Sequence, residues 1–275
     1  MSEPRRLVSW AFLGRVPYLA AEALQERARA GVRDGTGPEH LLLLEHPHVF
    51  TLGRNADGAD VLAPRAWLEA QGVEVHECDR GGQVTYHGPG QLVGYPVVDL
   101  DPDRRDLRRY VRDLQEVLIR TLADFGVAAR RREGRDAIGV WVGERKIASL
   151  GVHVKRWITT HGFALNVATD LSYFARIVPC GLQGVEMASI ASLTGEAPPL
   201  AEVAARVARH FARVFDRELA PLDPSGLTTE APLAAVEPDP APADLEPTEV
   251  AAEDAGVESG AIAVPAGAPQ AGAPP

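Results

Sequence analysis

The stretch AIGVWVGERKIASLGVHVKRWITTHGFALNV, residues 137–167, decides the fold class. β-Branched and aromatic residues make up most of 137–142 and recur in 146–154, and Gly143 with Glu144 between the two runs is typical of a hairpin turn. A third run of the same character covers 159–167, so three strands follow one another with no helix between them. Strands joined by such short connections pair antiparallel. We therefore predict an α+β fold, with a mixed, largely antiparallel sheet flanked by helices.

Hydrophobic periodicity predicts three helices around this sheet. The strongest pattern covers 106–125, where apolar residues recur every three or four positions until Gly126. A second helix is expected over 17–30, because it opens on a proline, which suits a first turn, and Gly31 would end it. The remaining expected elements are a last amphipathic helix over 200–215 and strands at 7–13, 40–44, 73–77 and 92–100.

Residues 221–275 differ in composition from the rest of the chain. They hold 11 of the 22 prolines, ten acidic residues, no Lys or Arg and no aromatic residue. Such a segment cannot bury enough apolar surface to offset its conformational entropy. We predict one folded domain over 1–220 and a disordered acidic Pro/Ala-rich tail over 221–275. A bland tail and an acidic docking arm are both compatible with that composition.

Bulk properties exclude several classes of function. Without the tail, 28 acidic residues balance 28 basic ones, so the body has no bias toward nucleic acid or an anionic membrane. No run of 18 apolar residues is present, and residues 1–6 lack the apolar core of a secretory signal. Two cysteines form no disulfide framework. We expect a cytoplasmic protein without nucleic-acid or membrane partners.

A glycine-rich stretch, RGGQVTYHGPG over 80–90, is the first candidate site. Its four glycines let the backbone adopt positive φ and approach a ligand closely, while the interleaved side chains add hydrogen-bond donors and an aromatic wall. An elaborate hairpin turn is the alternative interpretation. No Lys-Ser or Lys-Thr follows the glycines, so the stretch is not a phosphate-binding P-loop.

Cys180 is a candidate nucleophile. It stands between Pro179 and Gly181, which favours an accessible turn over a buried strand. A small buried residue is the alternative interpretation for an isolated cysteine. Cys78 has no such neighbours, so we interpret it in that second way.

Lysine is scarce in this chain, with 26 arginines against only Lys146 and Lys155. A guanidinium stays protonated where a partly buried ammonium can lose its proton, so a lysine kept against this bias suggests that titration matters there. An amine near a thiol can stabilise the thiolate or accept the thiol proton. A solvated hairpin lysine is the alternative for Lys146, and Lys155, beside Arg156, is expected to be solvated.

Eight histidines raise the question of a metal or hydrolase site. His40, His46 and His48 are close in sequence, but no cysteine cluster or His-Glu-x-x-His spacing accompanies them, so we expect no metal. His87 and His161 lie in glycine-rich segments and are candidate pocket residues. A Gly-x-Ser-x-Gly elbow is absent, which argues against a serine hydrolase.

Four motifs taken together resemble the octanoyltransferases of lipoate biosynthesis (lipoyl/octanoyl transferases). They are RGGQVTYHGPGQ at 80–91, KIASLG at 146–151, HGFALN at 161–166 and PCGL at 179–182, in that order within about residues 7–217. The resemblance implies an α+β fold akin to the catalytic domain of the biotin and lipoate protein ligases. The acidic tail is not part of the family's pattern.

The resemblance also implies the site. Cys180 would carry the acyl group as a thioester, and Lys146 would lower the pKa of its thiol. Contacts to the substrate would come from the glycine-rich motif and from two strand segments: Arg80, Gly81, Gly82, Gln83, Val84, Thr85, Tyr86, His87, Ser149, Leu150, Gly151, Gly162, Phe163 and Ala164.

The implied reaction moves an octanoyl group from octanoyl-acyl carrier protein to a lysine of a lipoyl domain, in 2-oxoacid dehydrogenase complexes or in the glycine cleavage H protein. Thioester-to-amide transfer runs downhill, so neither ATP nor another cofactor is expected. Three alternatives stay open. They are an ATP-dependent lipoate or biotin protein ligase on the same fold, a non-catalytic module that binds acyl chains or lipoyl domains, and a cysteine hydrolase.

Overall fold

A computed structural model describes residues 5–101, 103–132, 134, 138–178 and 185–222. The strands in these ranges are β1 (Arg6–Arg15), β2 (Glu39–Glu45), β3 (Val49–Leu52), β4 (Glu74–Glu77), β5 (Val84–His87), β6 (Gln91–Val97), β7 (Gly139–Val142), β8 (Arg145–Lys155), β9 (Ile158–Asn166) and β10 (Arg217–Pro221). The helices are α1 (Tyr18–Arg33), α2 (Arg65–Gln71), α3 (Leu107–Ala123), α4 (Ile190–Thr194) and α5 (Leu200–Phe215).

The large sheet has seven strands in the order β10-β1-β2-β6-β9-β8-β7. Within residues 137–167 lies the antiparallel run β7-β8-β9, which continues antiparallel through β6 to β2. In this sheet the parallel pairs are those of β1, with β2 on one side and β10 on the other. The predicted fold class, a mixed and largely antiparallel sheet with helices, is therefore confirmed.

The two faces of this sheet bury different helices, because neighbouring strand residues point to opposite sides. One face packs Leu92, Phe163 and Leu165 into the main core with residues of α3 and α5. The opposite face places Val93 and Ala164, together with Leu42, Leu44 and Tyr95, against Ala21 of α1. The candidate site described below lies on the α1 face.

A second sheet of three strands, β4-β3-β5, was not expected in full. Its third strand, β5, lies inside the glycine-rich motif that we interpreted as a loop. The four residues of β3 and the seven of α2 are too short to show a clear period in the sequence. This sheet packs with α2 and a 3-10 turn at Leu171–Arg176 around a small core of its own.

The first helix is longer than predicted. It passes through Gly31 and ends at Arg33, because the left-handed turn that glycine favours falls at Gly35, with φ of 66°, and not at Gly31. Strand β6 is shorter than predicted and ends at Val97. Pro96 has no N–H to donate to a ladder, and Leu100 is bonded instead to the carbonyl of Trp157.

A buried ion-pair cluster attaches the last strand to the sheet. Arg217 of β10 donates from Nε to Glu39 Oε2 at 2.8 Å and from Nη1 to Asp103 Oδ2 at 3.0 Å, and Arg6 of β1 also bonds Glu39. Burial alone would raise the pKa of Asp103, but Arg217 and Arg6 together lower it. Beyond Leu222 the predicted tail lies outside the described residues, so the division at 220 stays a prediction.

No helix in the described part of the chain is both long and apolar enough to cross a bilayer.

Candidate active site

A cavity of about 510 Å³, part of it open to solvent, lies between the glycine-rich segment, the middle of β8 and β9, and the start of α1. Every substrate-contact residue predicted from the sequence lines it except Tyr86, and the candidate His161 lines it too. The cavity therefore gathers three motifs that are up to 84 residues apart in the chain. The lining residues among the predicted ones are Arg80, Gly81, Gly82, Gln83, Val84, Thr85, His87, Ser149, Leu150, Gly151, His161, Gly162, Phe163 and Ala164.

Glycines let the loop press onto the sheet at this point. Gly151 of β8 lies opposite Gly162 of β9, and a Cβ on Gly151 would stand 2.9 Å from the carbonyl oxygen of Gly81. That distance is shorter than real Cβ contacts allow, so glycine is required by the close approach of two backbones. The Gly81 N–H donates to the carbonyl of Val152 at 3.0 Å, which ties the loop to β8.

Arg80 holds the loop from inside. Its side chain is buried, and Nη2 donates to the backbone oxygen of Thr51 at 2.6 Å and to the Thr51 hydroxyl at 2.8 Å. A Cβ on Gly53 would stand 2.8 Å from Arg80 Nη1, so this glycine makes room for the guanidinium. Arg80 is thus a fixed part of the cavity wall.

Tyr86 is the exception among the predicted contacts. Thr85 and His87 line the cavity, and strand alternation places Tyr86 between them on the other side of β5. There its ring stacks on Tyr173 with centroids 4.8 Å apart, and its hydroxyl lies 2.8 Å from His48 Nδ1. The structure does not bring Tyr86 to the cavity, because it belongs to the core of the small sheet.

Two buried histidines at the inner end of the cavity are neutral: His87 lines it, and His46 packs against the His87 ring. Burial lowers the pKa of His46 to about 4, and burial together with the neighbouring His46 and Arg80 lowers that of His87 well below its usual value. His46 must carry its proton on Nδ1, because Nδ1 faces the carbonyl of Val16 at 2.7 Å. Its Nε2 then accepts from the Tyr95 hydroxyl at 2.8 Å. The imidazoles therefore add no charge to a wall that already holds the guanidinium of Arg80.

Three lining residues were not found from the sequence: Tyr18, Val93 and Tyr95. Val93 and Tyr95 were placed only as members of a strand, although their alternation onto the face shared with Ala164 could have indicated them. Tyr18 lies in the first turn of α1, and no sequence pattern links that turn to the sheet.

His161 has an unusual backbone in the middle of β9. Its φ is 55°, and its N–H leaves the ladder to donate to Gln25 Oε1 of α1 at 2.7 Å. Its Nε2 donates to Asp79 Oδ1 at 2.7 Å, and that hydrogen bond is the main reason that the pKa of Asp79 falls to about 2. His153 Nε2 lies 3.5 Å from the other oxygen of Asp79. Asp79 was missed from the sequence because it precedes the glycine-rich motif.

Lys146 is buried, with 2% of its surface exposed, so the alternative of a solvated hairpin lysine is wrong. It lies on β8 three positions before Ser149, about 10 Å along a strand from the cavity. Its Nζ lies 5.7 Å from the centroid of the Trp141 ring, and a Cβ on Gly139 would stand 2.5 Å from its Cε. Lys146 itself does not line the cavity.

The backbone of Lys146 is held by the segment that follows the PCGL motif. Its N–H donates to the carbonyl of Glu186 at 2.9 Å, and its carbonyl accepts from Ala188 at 2.8 Å. Cys180 lies outside the described residues, so its predicted role stays a prediction. Cys78, the other cysteine, is partly buried and donates to the carbonyl of Leu52 at 3.2 Å, consistent with a structural residue.

Comparison with known proteins shows two levels of similarity. An octanoyltransferase of Solibacter usitatus is 54% identical over 209 residues, which cover 76% of this chain and 93% of that protein. An octanoyltransferase of Geobacter metallireducens is 50% identical over 207 residues, which cover 75% and 93% respectively. The similarity therefore extends through nearly the whole length of each relative.

Solved structures share the fold at much lower identity. A lipoate-protein ligase A bound with ATP has a TM-score of 0.63 at 18% identity, covering 82% of this chain and 92% of that one. A bi-partite lipoate protein ligase from Thermoplasma acidophilum has a TM-score of 0.62 at 18% identity, covering 79% and 86%. The family model described as lipoyl protein ligase A/B catalytic domain matches residues 17–212. The chain therefore belongs to the lipoyl protein ligase A/B catalytic domain family and, within it, to the octanoyltransferases.

Proposed function

We propose that this octanoyltransferase accepts an octanoyl group from octanoyl-acyl carrier protein as a thioester on Cys180 and transfers it to a lysine of a lipoyl domain. The acceptors would be the lipoyl domains of 2-oxoacid dehydrogenase complexes and the glycine cleavage H protein. The observation that carries the proposal is the cavity lined by three of the four motifs, with buried Lys146 three strand positions from Ser149 in its wall.

The segment that follows the PCGL motif supports the pairing of Cys180 with Lys146. Glu186 and Ala188, a few residues after the motif in sequence, bond the N–H and the carbonyl of Lys146. An amine within contact distance of the thiol would favour the thiolate, which is the nucleophilic form.

The proposed reaction has two acyl transfers. In the first, the Cys180 thiolate attacks the thioester carbonyl of the donor, an S–C bond forms, and the phosphopantetheine thiol leaves. In the second, the ε-amine of the acceptor lysine attacks the new thioester, a C–N bond forms, and Cys180 leaves as thiolate while the amine loses a proton. The acyl group stays activated as a thioester until the amide forms, so the scheme needs no ATP.

The cavity supplies binding energy for the chain. Val93 and Ala164 provide apolar surface, and the neutral ring of His87 adds no charge beside it. A buried methylene contributes about 0.8 kcal/mol, so an eight-carbon chain gains several kcal/mol. A single methylene discriminates by only about 1–3 kcal/mol, so selection for eight carbons is expected to be incomplete.

Intact-mass spectrometry after incubation with octanoyl-acyl carrier protein, without ATP, tests the proposal. The wild-type chain should gain one octanoyl group, and addition of a lipoyl domain should remove it and modify the domain. Cys180→Ser should gain none, whereas Cys78→Ser, the matched control at the other cysteine, should behave as wild type. An octanoyl group on the Cys180→Ser protein, or transfer that starts only after ATP is added, would contradict the thioester scheme.

A further inference from the structure

A line of buried hydrogen bonds connects the cavity wall to the backbone of Lys146. It begins at Arg80, whose Nη2 donates to the Thr51 hydroxyl at 2.8 Å, and that hydroxyl lies 3.5 Å from His87 Nε2. His87 then donates from Nδ1 to Gln91 Oε1 at 2.8 Å. None of these four side chains is more than 8% exposed.

The line continues through two amides. Gln91 Nε2 donates to Asn166 Oδ1 at 3.0 Å, and Asn166 Nδ2 donates to the carbonyl of Ala188 at 3.0 Å. The N–H of Ala188 then donates to the carbonyl of Lys146 at 2.8 Å. Gln91 and Asn166 are each 1% exposed, so water cannot replace any of these partners.

Each member of the line has only one orientation that satisfies its neighbours. Gln91 must direct its oxygen to His87, because its Nε2 also donates to the backbone carbonyl of Tyr86 at 3.1 Å. That choice directs Asn166 Oδ1 toward Gln91 and leaves Asn166 Nδ2 for Ala188. All the donors therefore point the same way, and hydrogen bonds in such a chain polarise and strengthen one another.

The place where the line ends explains why such a support is needed. Strand β9 ends at Asn166, and the last residue of β8 that it pairs is Ala148. Lys146 therefore lies beyond the β8–β9 ladder. It pairs with Trp141 of β7 on one side, and on the other its N–H and carbonyl are bonded to Glu186 and Ala188 across an isolated bridge. A short bridge of this kind has little stability by itself.

We propose that Asn166 is a positioning residue for octanoyl transfer, which holds Ala188 and thereby Lys146 in register with the cavity, with Gln91 and His87 fixing the orientation of its amide. This inference rests on the proposed function. Asn166 does not line the cavity, so in this proposal it acts through the backbone of Lys146. It also links Lys146 to Arg80 in the cavity wall, because each residue of the line is hydrogen-bonded to the next.

The test compares two variants on the same strand. Asn166→Leu keeps the volume and removes the donor to Ala188. Thr159→Val is the matched control, because Thr159 is also buried on β9, donates to the Pro96 carbonyl at 2.7 Å and accepts from the Val98 N–H at 3.0 Å, away from Lys146. Both variants of the full chain are studied by amide hydrogen exchange, and by kcat and KM with octanoyl-acyl carrier protein.

In Asn166→Leu, the amides of Lys146 and Ala188 should exchange about fivefold faster or more, since each has lost part of a buried hydrogen-bonded support. Misplacement of Lys146 should lower kcat by about tenfold or more while KM stays within about twofold. Thr159→Val should leave these two amides and kcat within about twofold of wild type. If Asn166→Leu fails to fold, Asn166→Ala, which adds no bulk, takes its place.

Two outcomes would overturn the inference. One is a kcat for the Asn166 variant equal to that of Thr159→Val, whether or not the amides exchange faster, because the contact would then be structural only. The other is a wild-type chain that transfers no octanoyl group, which would remove the proposed function as well. The two failures are distinguishable, because the first appears only in the variant and the second already appears in the wild type.

Discussion

Gly139 and Lys146 face each other across the β7–β8 hairpin so closely that only a residue without a side chain fits at 139. A Cβ there would stand 2.5 Å from Lys146 Cε, 2.8 Å from the Ala148 carbonyl oxygen and 3.4 Å from Lys146 Nζ. The carbonyl of Gly139 is also bonded by Gln115 of α3 at 2.9 Å, so β7 cannot easily move away. The lysine thus occupies space that the glycine leaves free.

Gly139→Ala should therefore displace the side chain of Lys146 without removing it. Displacement of a catalytic group by about 1 Å can cost about a hundredfold, so we expect kcat for octanoyl transfer to fall by between about ten- and a hundredfold. Gly58→Ala is the matched control, since a Cβ there meets open space and the backbone needs no positive φ. Steady-state kinetics that are equal for the two variants would show that the position of Lys146 is not critical.

Lys146→Met tests the proposed link between the amine and the thiol. Methionine fills similar volume without charge, so the thiolate fraction of Cys180 should fall, and alkylation of Cys180 by iodoacetamide at pH 7 should slow by about tenfold. Lys155→Met removes the only other lysine of the chain and should leave that rate unchanged. Peptide mass spectrometry separates Cys180 from Cys78. Equal alkylation rates in the two variants would show that Lys146 does not influence the reactivity of the Cys180 thiol.

The sequence was sufficient for the fold class because the strands that decide it are long and are joined by short connections. Strands β8 and β9 have eleven and nine residues, and only Arg156 and Trp157 stand between them. By contrast β3, with four residues, is too short for a period, and its place is set by pairing with β5 in three dimensions. Short elements of this kind depend on tertiary contacts that composition does not record.

In the candidate site, too, some residues could be predicted from the sequence and others could not. The glycine-rich motif was found because glycine beside polar residues is distinctive in sequence, and the segments Ser149–Gly151 and Gly162–Ala164 were implied by the family resemblance. The structure brings all three to one cavity. Tyr86 was included because it lies within the motif, although strand alternation turns it away. Asp79 and Tyr18 were missed, since they contact residues that are far away in the chain: His161, 82 positions after Asp79, and His76, 58 positions after Tyr18.

The contact between His161 and Asp79 predicts a dependence of stability on pH. The hydrogen bond from His161 lowers the pKa of Asp79 to about 2 in the folded chain, against about 3.9 in an unfolded one. Because the folded value is depressed, the contribution to stability is complete above about pH 4 and is lost as the pH falls toward about 2. Asp79→Asn should thus destabilise the fold at pH 6 and make little difference near pH 2. Urea unfolding of the wild-type and Asp79→Asn proteins between pH 6 and about pH 2 measures this change in stability. A difference in free energy of unfolding that stays constant with pH would contradict the role given to the contact between His161 and Asp79.

The ion-pair cluster at β10 predicts where the C-terminal part of the fold is most sensitive to substitution. Arg217 and Glu39 are both buried, and Arg217→Met would leave the carboxylate of Glu39 with only part of its compensating charge, from Arg6. Removal of one partner from a buried pair costs about 3–5 kcal/mol, and because Arg6 remains we expect a value at the lower end of that range.

The control is Arg213→Met, which replaces an exposed arginine on the preceding helix. It should change stability by less than about 0.5 kcal/mol. Urea unfolding measures both changes in stability, which appear as shifts of the midpoint while the slope of the free energy against urea concentration stays unchanged. If both variants unfold at the same urea concentration, the cluster contributes no net stability, and β10 is held by its backbone pairing with β1 alone.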